Sequence, residues 1–142
     1  MRMVRWSVLG IAMLMVMASG IQAVPAAQMM GTGEEIKTAI THAGFAQKAD
    51  TMKDVSLHLH HVINCLVEPD DKMFNKAAGN PCQGQGKGIM PDIKAAMGQD
   101  QEYQVAWWLA HIADQAITMG NMQQAKAAAH IIEVQLTSMA KM

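Results

Sequence analysis

The chain is expected to fold as an all-α protein, a four-helix up-and-down bundle made of two helical hairpins with a long disulfide-stapled crossover loop. Three observations predict this. Apolar residues recur at three- and four-residue spacings in four separate segments. No segment shows the strict apolar–polar alternation of a half-buried strand. Within each half the two segments are divided only by a short break, near 50–52 in the first and at Gly120-Asn121 in the second. Breaks of that length join antiparallel helices.

The first residues stand apart from this pattern. Arg2 and Arg5 precede an almost wholly apolar run from Trp6 to Ala18, and small residues follow at Ser19, Gly20 and Ala23. That order is a secretory signal peptide, and the run falls short of the ~20 residues that span a bilayer. Cleavage is expected after Ala23, or as late as Ala26, leaving a flexible stretch 24–32 and a single domain over 33–142. The product is then periplasmic or secreted, with no membrane attachment after cleavage. Residues 24–142 hold nine lysines, no arginine and twelve acidic residues, a net charge of −3. Nucleic-acid binding requires clustered cationic side chains for phosphate, so that class is excluded.

The first helix is expected over Gly33–Ala49, with Thr32 as N-cap and Glu34 and Glu35 at the positive end of its dipole. Its apolar stripe is Ile36, Ala39, Ile40 and Ala43. The second runs over Asp50–Val67 with Met52, Val55, Leu59, Val62, Ile63 and Leu66 on one face. Glu68-Pro69 ends it, because the residue before proline is pushed out of helical geometry. Loop 68–98 follows, with Pro69, Pro81, Pro91 and five glycines, and a short helical turn is expected over Pro91–Met97. Export predicts that Cys65 and Cys82 pair, which would stabilise the fold by ~3 kcal/mol in the chain-entropy picture. The competing reading makes them thiolate ligands beside His61. The third helix spans Asp100–Met119 with Val105, Trp108, Leu109, Ile112 and Ala116 inward; the fourth spans Met122–Met139 with Ala125, Ala128, Ala129, Ile132, Leu136 and Met139 inward.

A shift of 69 residues lays His42 on His111 and His61 on His130, with apolar positions in register around them. Both pairs straddle a turn near their midpoint, so His42 should lie level with His61 and His111 with His130. All four sit on the flanks of their stripes, which argues against a buried four-histidine layer and for an exposed or inter-helix cation site. His58 and His61 share a helix face one turn apart, a spacing that chelates Cu, Ni or Zn ions through imidazole. Any site should centre on this pair, with His42 as third ligand, and should weaken below pH ~6.5 as ordinary imidazoles protonate.

Other motifs argue against alternatives. The methionines fall on stripes and turns and read as core fillers. The segment "GQGKG" (84–88) lacks the spacer and the following hydroxyl of a phosphate loop; covalent haem is excluded because no C-x-x-C-H is present, and non-covalent haem between a His and a Met on facing helices has no specific spacing behind it. No catalytic constellation stands out, so the chain is not read as an enzyme. The alternative function is a structural or interaction module, homodimeric or with a protein partner, in which loop 68–98 and Trp107 form the surface.

"THAGFAQKAD" followed by "LHLHHVINCL" resembles the helical hairpins of small histidine-rich periplasmic metal-binding proteins, with their H-A-x-x-A pattern. The likeness covers 38–66 and, more loosely, 107–136. It departs in the cysteine pair and the glycine-rich loop. The resemblance implies reversible binding of cations such as Cu(II) or Ni(II), on His42, His58, His61, His111 and His130.

Overall fold

A computed structural model describes residues 26–97 and 101–141, all helical or irregular, with no strand among them. The expected signal peptide, residues 1–23, lies outside the described residues. The described residues form five α-helices: α1 (Ala26–Lys48), α2 (Met52–Leu66), α3 (Ile89–Met97), α4 (Gln101–Met119) and α5 (Met122–Met139). One turn of 3-10 helix lies at Lys76–Ala78. The protein is therefore all-α, as its periodicity predicts.

Local chemistry sets most helix ends. Thr51 caps α2: its Oγ1 accepts from the Asp54 amide at 3.1 Å and donates to Asp54 Oδ2 at 2.7 Å. Asn121 caps α5 in the same way through the Gln124 amide at 3.0 Å. The start of α1 differs from expectation. It begins at Ala26, so the segment 26–32 expected to be flexible is helical and Thr32 lies inside the helix. The run Ala26-Ala27-Gln28-Met29-Met30 consists of strong helix formers, which offsets the cost of Gly31 and Gly33.

α1 packs on α2 and α5, and α4 packs on the same two helices. Bulk and smallness are divided between them. α2 contributes Val55, Leu59, Val62, Ile63 and Leu66, all buried. The facing stripes are largely alanine: Ala39, Ala43 and Ala46 on α1, Ala106, Ala110, Ala113 and Ala116 on α4, Ala125 and Ala129 on α5. Large side chains against small ones allow close helix approach without voids. α3 fills the side between α1 and α4, burying Ile89, Met90 and Ile93.

The buried face of α4 differs from the predicted stripe. Ala106, Leu109, Ala110, Ala113 and Ala116 point inward, Val105 and Ile112 are only partly buried, and Trp108 is 58% exposed. The alanine face lets α4 sit closer to α2 and α5 than a face carrying an indole would. Trp107, expected at the surface, is instead the ring packed against the core.

The crossover is ordered by three ties. The Cys65–Cys82 disulfide forms as expected, with Cα atoms 5.3 Å apart and both residues buried. Buried Asn64 donates through Nδ2 to the carbonyls of Asn75 (2.8 Å) and Gly79 (2.6 Å) and accepts the Asn75 amide at 2.8 Å. Buried Glu35 of α1 accepts the Gly88 amide at 2.8 Å. Gly88 adopts a φ of 124° against the Val67 carbonyl, a conformation and a proximity that only glycine tolerates.

Candidate metal centre

α1 and α2 fold back on each other through the turn at 49–51, so residues equally distant from it come level. His42 accordingly meets His58 and His61, 16 and 19 residues further along. Flank positions on neighbouring helices face each other across the seam between them, and all three imidazoles are half-buried there. The Nδ1 atom of His42 lies 3.2 Å from Nδ1 of His58 and 3.2 Å from Nδ1 of His61. One ligand atom from each ring falls within 4.8 Å of the other two, and this is the only group of three or more histidine, cysteine or acidic residues so placed among the described residues. The cluster can hold a metal ion.

The proton arrangement follows from hydrogen bonding. His61 Nε2 lies 2.7 Å from the Ala78 carbonyl, which can only accept, so Nε2 carries the hydrogen. In the neutral ring this leaves the Nδ1 lone pair directed at His42. A hydrogen on His42 Nδ1 then serves the metal-free cluster, and a cation would take its place once that ring carries its hydrogen on Nε2. Phe45 lies over the group, edge-on to His42 at 5.6 Å and 5.3 Å from the His58 ring. It shields one side of the cluster while remaining 45% exposed itself.

Burial and neighbouring imidazoles favour the neutral form of His42 and His58. Burial, followed by the proximity of His61 and His58, lowers the His42 pKa to about 4. His58 is also lowered, by burial first and by His61 next, with Asp54 opposing. Both rings therefore stay neutral to lower pH than ordinary imidazoles do.

The other histidines lie elsewhere. His111 stacks on Trp107 with ring centroids 3.8 Å apart and donates Nδ1–H to the Trp107 carbonyl at 2.9 Å. His130 faces α1, with Nδ1 3.2 Å from Gln47 Oε1; Gln47 Nε2 is committed to Glu133 at 2.6 Å. Neither joins the three-histidine group. The second hairpin does not reproduce the first because α5 turns His130 towards α1 rather than α4. Cys65 and Cys82 are consumed by their disulfide and are not thiolate ligands. His60 lines a separate shallow cleft with Phe74, Lys76 and Asp114.

Sequence reasoning passed over Phe45, Asn64 and Ala78. Phe45 had a signal, being one turn from His42 on the same helix. Ala78 had none, since a backbone carbonyl in an irregular loop leaves no trace in residue type. No family model, curated protein or solved structure matches the chain.

Proposed function

We propose that the protein binds a transition-metal cation at His42, His58 and His61, as an exported buffering or sequestering protein and not as an enzyme. The observation that carries this is the convergence of three Nδ1 atoms with two separations of 3.2 Å. Donors held at ~2.0–2.1 Å around a tetrahedral ion are about 3.3–3.4 Å apart, whereas adjacent donors in a square plane are about 2.8–3.0 Å apart. Two separations lie near the tetrahedral value and all three donors lie within 4.8 Å of one another, a spacing that Zn, Cu or Ni ions could draw together, with one position left for solvent or an anion. Neutral imidazoles suit Zn, Cu and Ni alike, so the titration compares all three.

Export is supported by the charged, apolar and small-residue order of the first 23 residues and by the buried disulfide. The likeness of 38–66 to histidine-rich periplasmic hairpins points the same way. The packing of α1 and α4 each on both α2 and α5 supports the reading of an up-and-down bundle of two hairpins. No described helix is long and apolar enough to cross a membrane.

Calorimetric titration of the mature protein with Zn(II), Cu(II) and Ni(II) at pH 7.5 tests the function. One ion per chain is expected, with an affinity that drops at least about 100-fold in the His58→Ala/His61→Ala double variant. His111→Ala and His130→Ala should leave it within about 3-fold. Binding no tighter than to a histidine-free helical control, or unchanged in the double variant, would defeat the metal reading. An interaction surface would then take its place, with the exposed Trp108 as its aromatic element in place of Trp107.

A further inference from the structure

We infer that the crossover loop belongs to the metal centre: Asn64 is a positioning residue that sets the His61 tautomer through the 3-10 turn and the Ala78 carbonyl. This inference rests on the metal reading of the three-histidine cluster and assigns a task to a segment that touches none of the donor atoms.

The chain of contacts is continuous. Asn64 is 2% exposed and uses both ends of its amide, donating to the Asn75 and Gly79 carbonyls and accepting the Asn75 amide. An amide replaced in a buried site by an apolar group would leave those backbone groups unsatisfied, so the contacts fix both ends of the segment 75–79. Between them, Asn75 Oδ1 accepts the amides of Ala77 (3.0 Å) and Ala78 (3.2 Å), winding the single 3-10 turn. That turn delivers the Ala78 carbonyl to His61 Nε2 at 2.7 Å. Four residues on from Ala78, Cys82 is bonded to Cys65, the residue next to Asn64, so the loop is tied to the last turns of α2 twice.

The chemical consequence lies in the imidazole. Without an acceptor at Nε2, a neutral histidine distributes its hydrogen between both nitrogens and turns about its side-chain bonds. With the carbonyl in place, the hydrogen is held at Nε2, and Nδ1 faces the cluster as a lone pair. A carbonyl behind a ligating imidazole orients the ring and raises its basicity, and loss of such partners typically lowers metal affinity 10- to 100-fold. Asn64 therefore acts on the metal through His61. The glycine at position 79, with φ 87°, lets the chain leave the turn while its carbonyl stays on Asn64.

The experiment has two readouts on one set of variants. Nitrogen NMR of the metal-free protein reports the His61 tautomer, and Zn(II) calorimetry reports affinity. Wild type is expected in the Nε2–H form. Asn64→Ala should shift His61 towards a mixture and weaken Zn(II) binding about 10-fold or more. Asn75→Ala removes the capping of the turn without opening a buried hole, and should move both readouts the same way should Asn64→Ala fold poorly. Ile132→Val, a core change on α5, serves as the control that lowers stability and leaves both readouts alone. A wild-type His61 carrying its hydrogen on Nδ1, or a tautomer unmoved in both asparagine variants, overturns the inference. A wild-type protein that binds no Zn(II) but shows the tautomer shift defeats the metal reading and leaves the Asn64–Ala78–His61 relay standing.

Discussion

His42 is the residue on which the chemistry turns, because it alone is within hydrogen-bonding distance of both other donors. Its lowered pKa has a stability consequence. An unfolded chain takes up this proton near pH 6.5 and the folded protein near 4, so stability is fully present above 6.5 and is lost progressively as pH falls towards 4. The ring is half-exposed, and solvent screening reduces the effect to on the order of 1 kcal/mol. The melting temperature of metal-free wild type should therefore fall by about 4–8 °C over that window relative to a His42→Phe variant. The same shift would govern release of a metal bound as proposed. Three ordinary imidazoles would lose about a factor of five each between pH 6.5 and 5.5. At least one such factor should be missing for Zn(II), measurable by titration at the two pH values.

At the scale of elements, the contact of α1 with the loop and α3 rests on two buried carboxyl groups. Glu35 accepts the Gly88 amide through Oε1, and Asp92 in the first turn of α3 accepts the Lys87 amide at 3.3 Å. A side chain at Gly86 would run into both carboxyl groups, so the loop can pass between them only as glycine. Glu35 Oε2 is buried with no hydrogen-bond partner among the described residues. Burial first, and the charge of Asp92 second, raise the Glu35 pKa to about 7, with the Gly88 amide opposing. Its folded pKa lies above the unfolded value of 4.5, so its contribution is fully present below pH 4.5 and is lost as pH rises through 7. This is opposite in sign to His42, and the two overlap between pH 4.5 and 6.5, which makes variants necessary to separate them. Glu35→Gln should raise stability by on the order of 1–2 kcal/mol at pH 8 and change it little at pH 5, measured by urea unfolding. Equal effects at the two pH values would show that the carboxyl is not protonated in the folded protein.

For the whole molecule, the disulfide decides how much of the crossover persists. Residues 67–88 make only local turns and a few side-chain ties, yet they place the Ala78 carbonyl and cover one side of the core. Closing this 17-residue separation lowers the entropy of the unfolded chain, a contribution of ~3 kcal/mol. The Cys65→Ala/Cys82→Ala variant is expected to melt about 10–20 °C below wild type while keeping its helical circular dichroism at 20 °C. A drop of only a degree or two would mean that Asn64 and Glu35 hold the loop without the covalent tie.

Amino-acid order alone determined the helices, because a 3.6-residue period of apolar side chains has few other ways to be buried. It also determined the cysteine pairing and the meeting of His42 with His61, which follows from equal rise on either side of a short turn. The rotation of α4 was a tertiary decision. Its sequence carries apolar residues on more than half its circumference, and close approach of alanines to α2 and α5 outweighed burial of the Trp108 indole. Tertiary structure likewise supplied the Ala78 carbonyl and the Glu35–Asp92 pair. These depend on the path of an irregular loop, whose backbone angles have no period for the sequence to display, and on contacts between residues dozens of positions apart that no local pattern records.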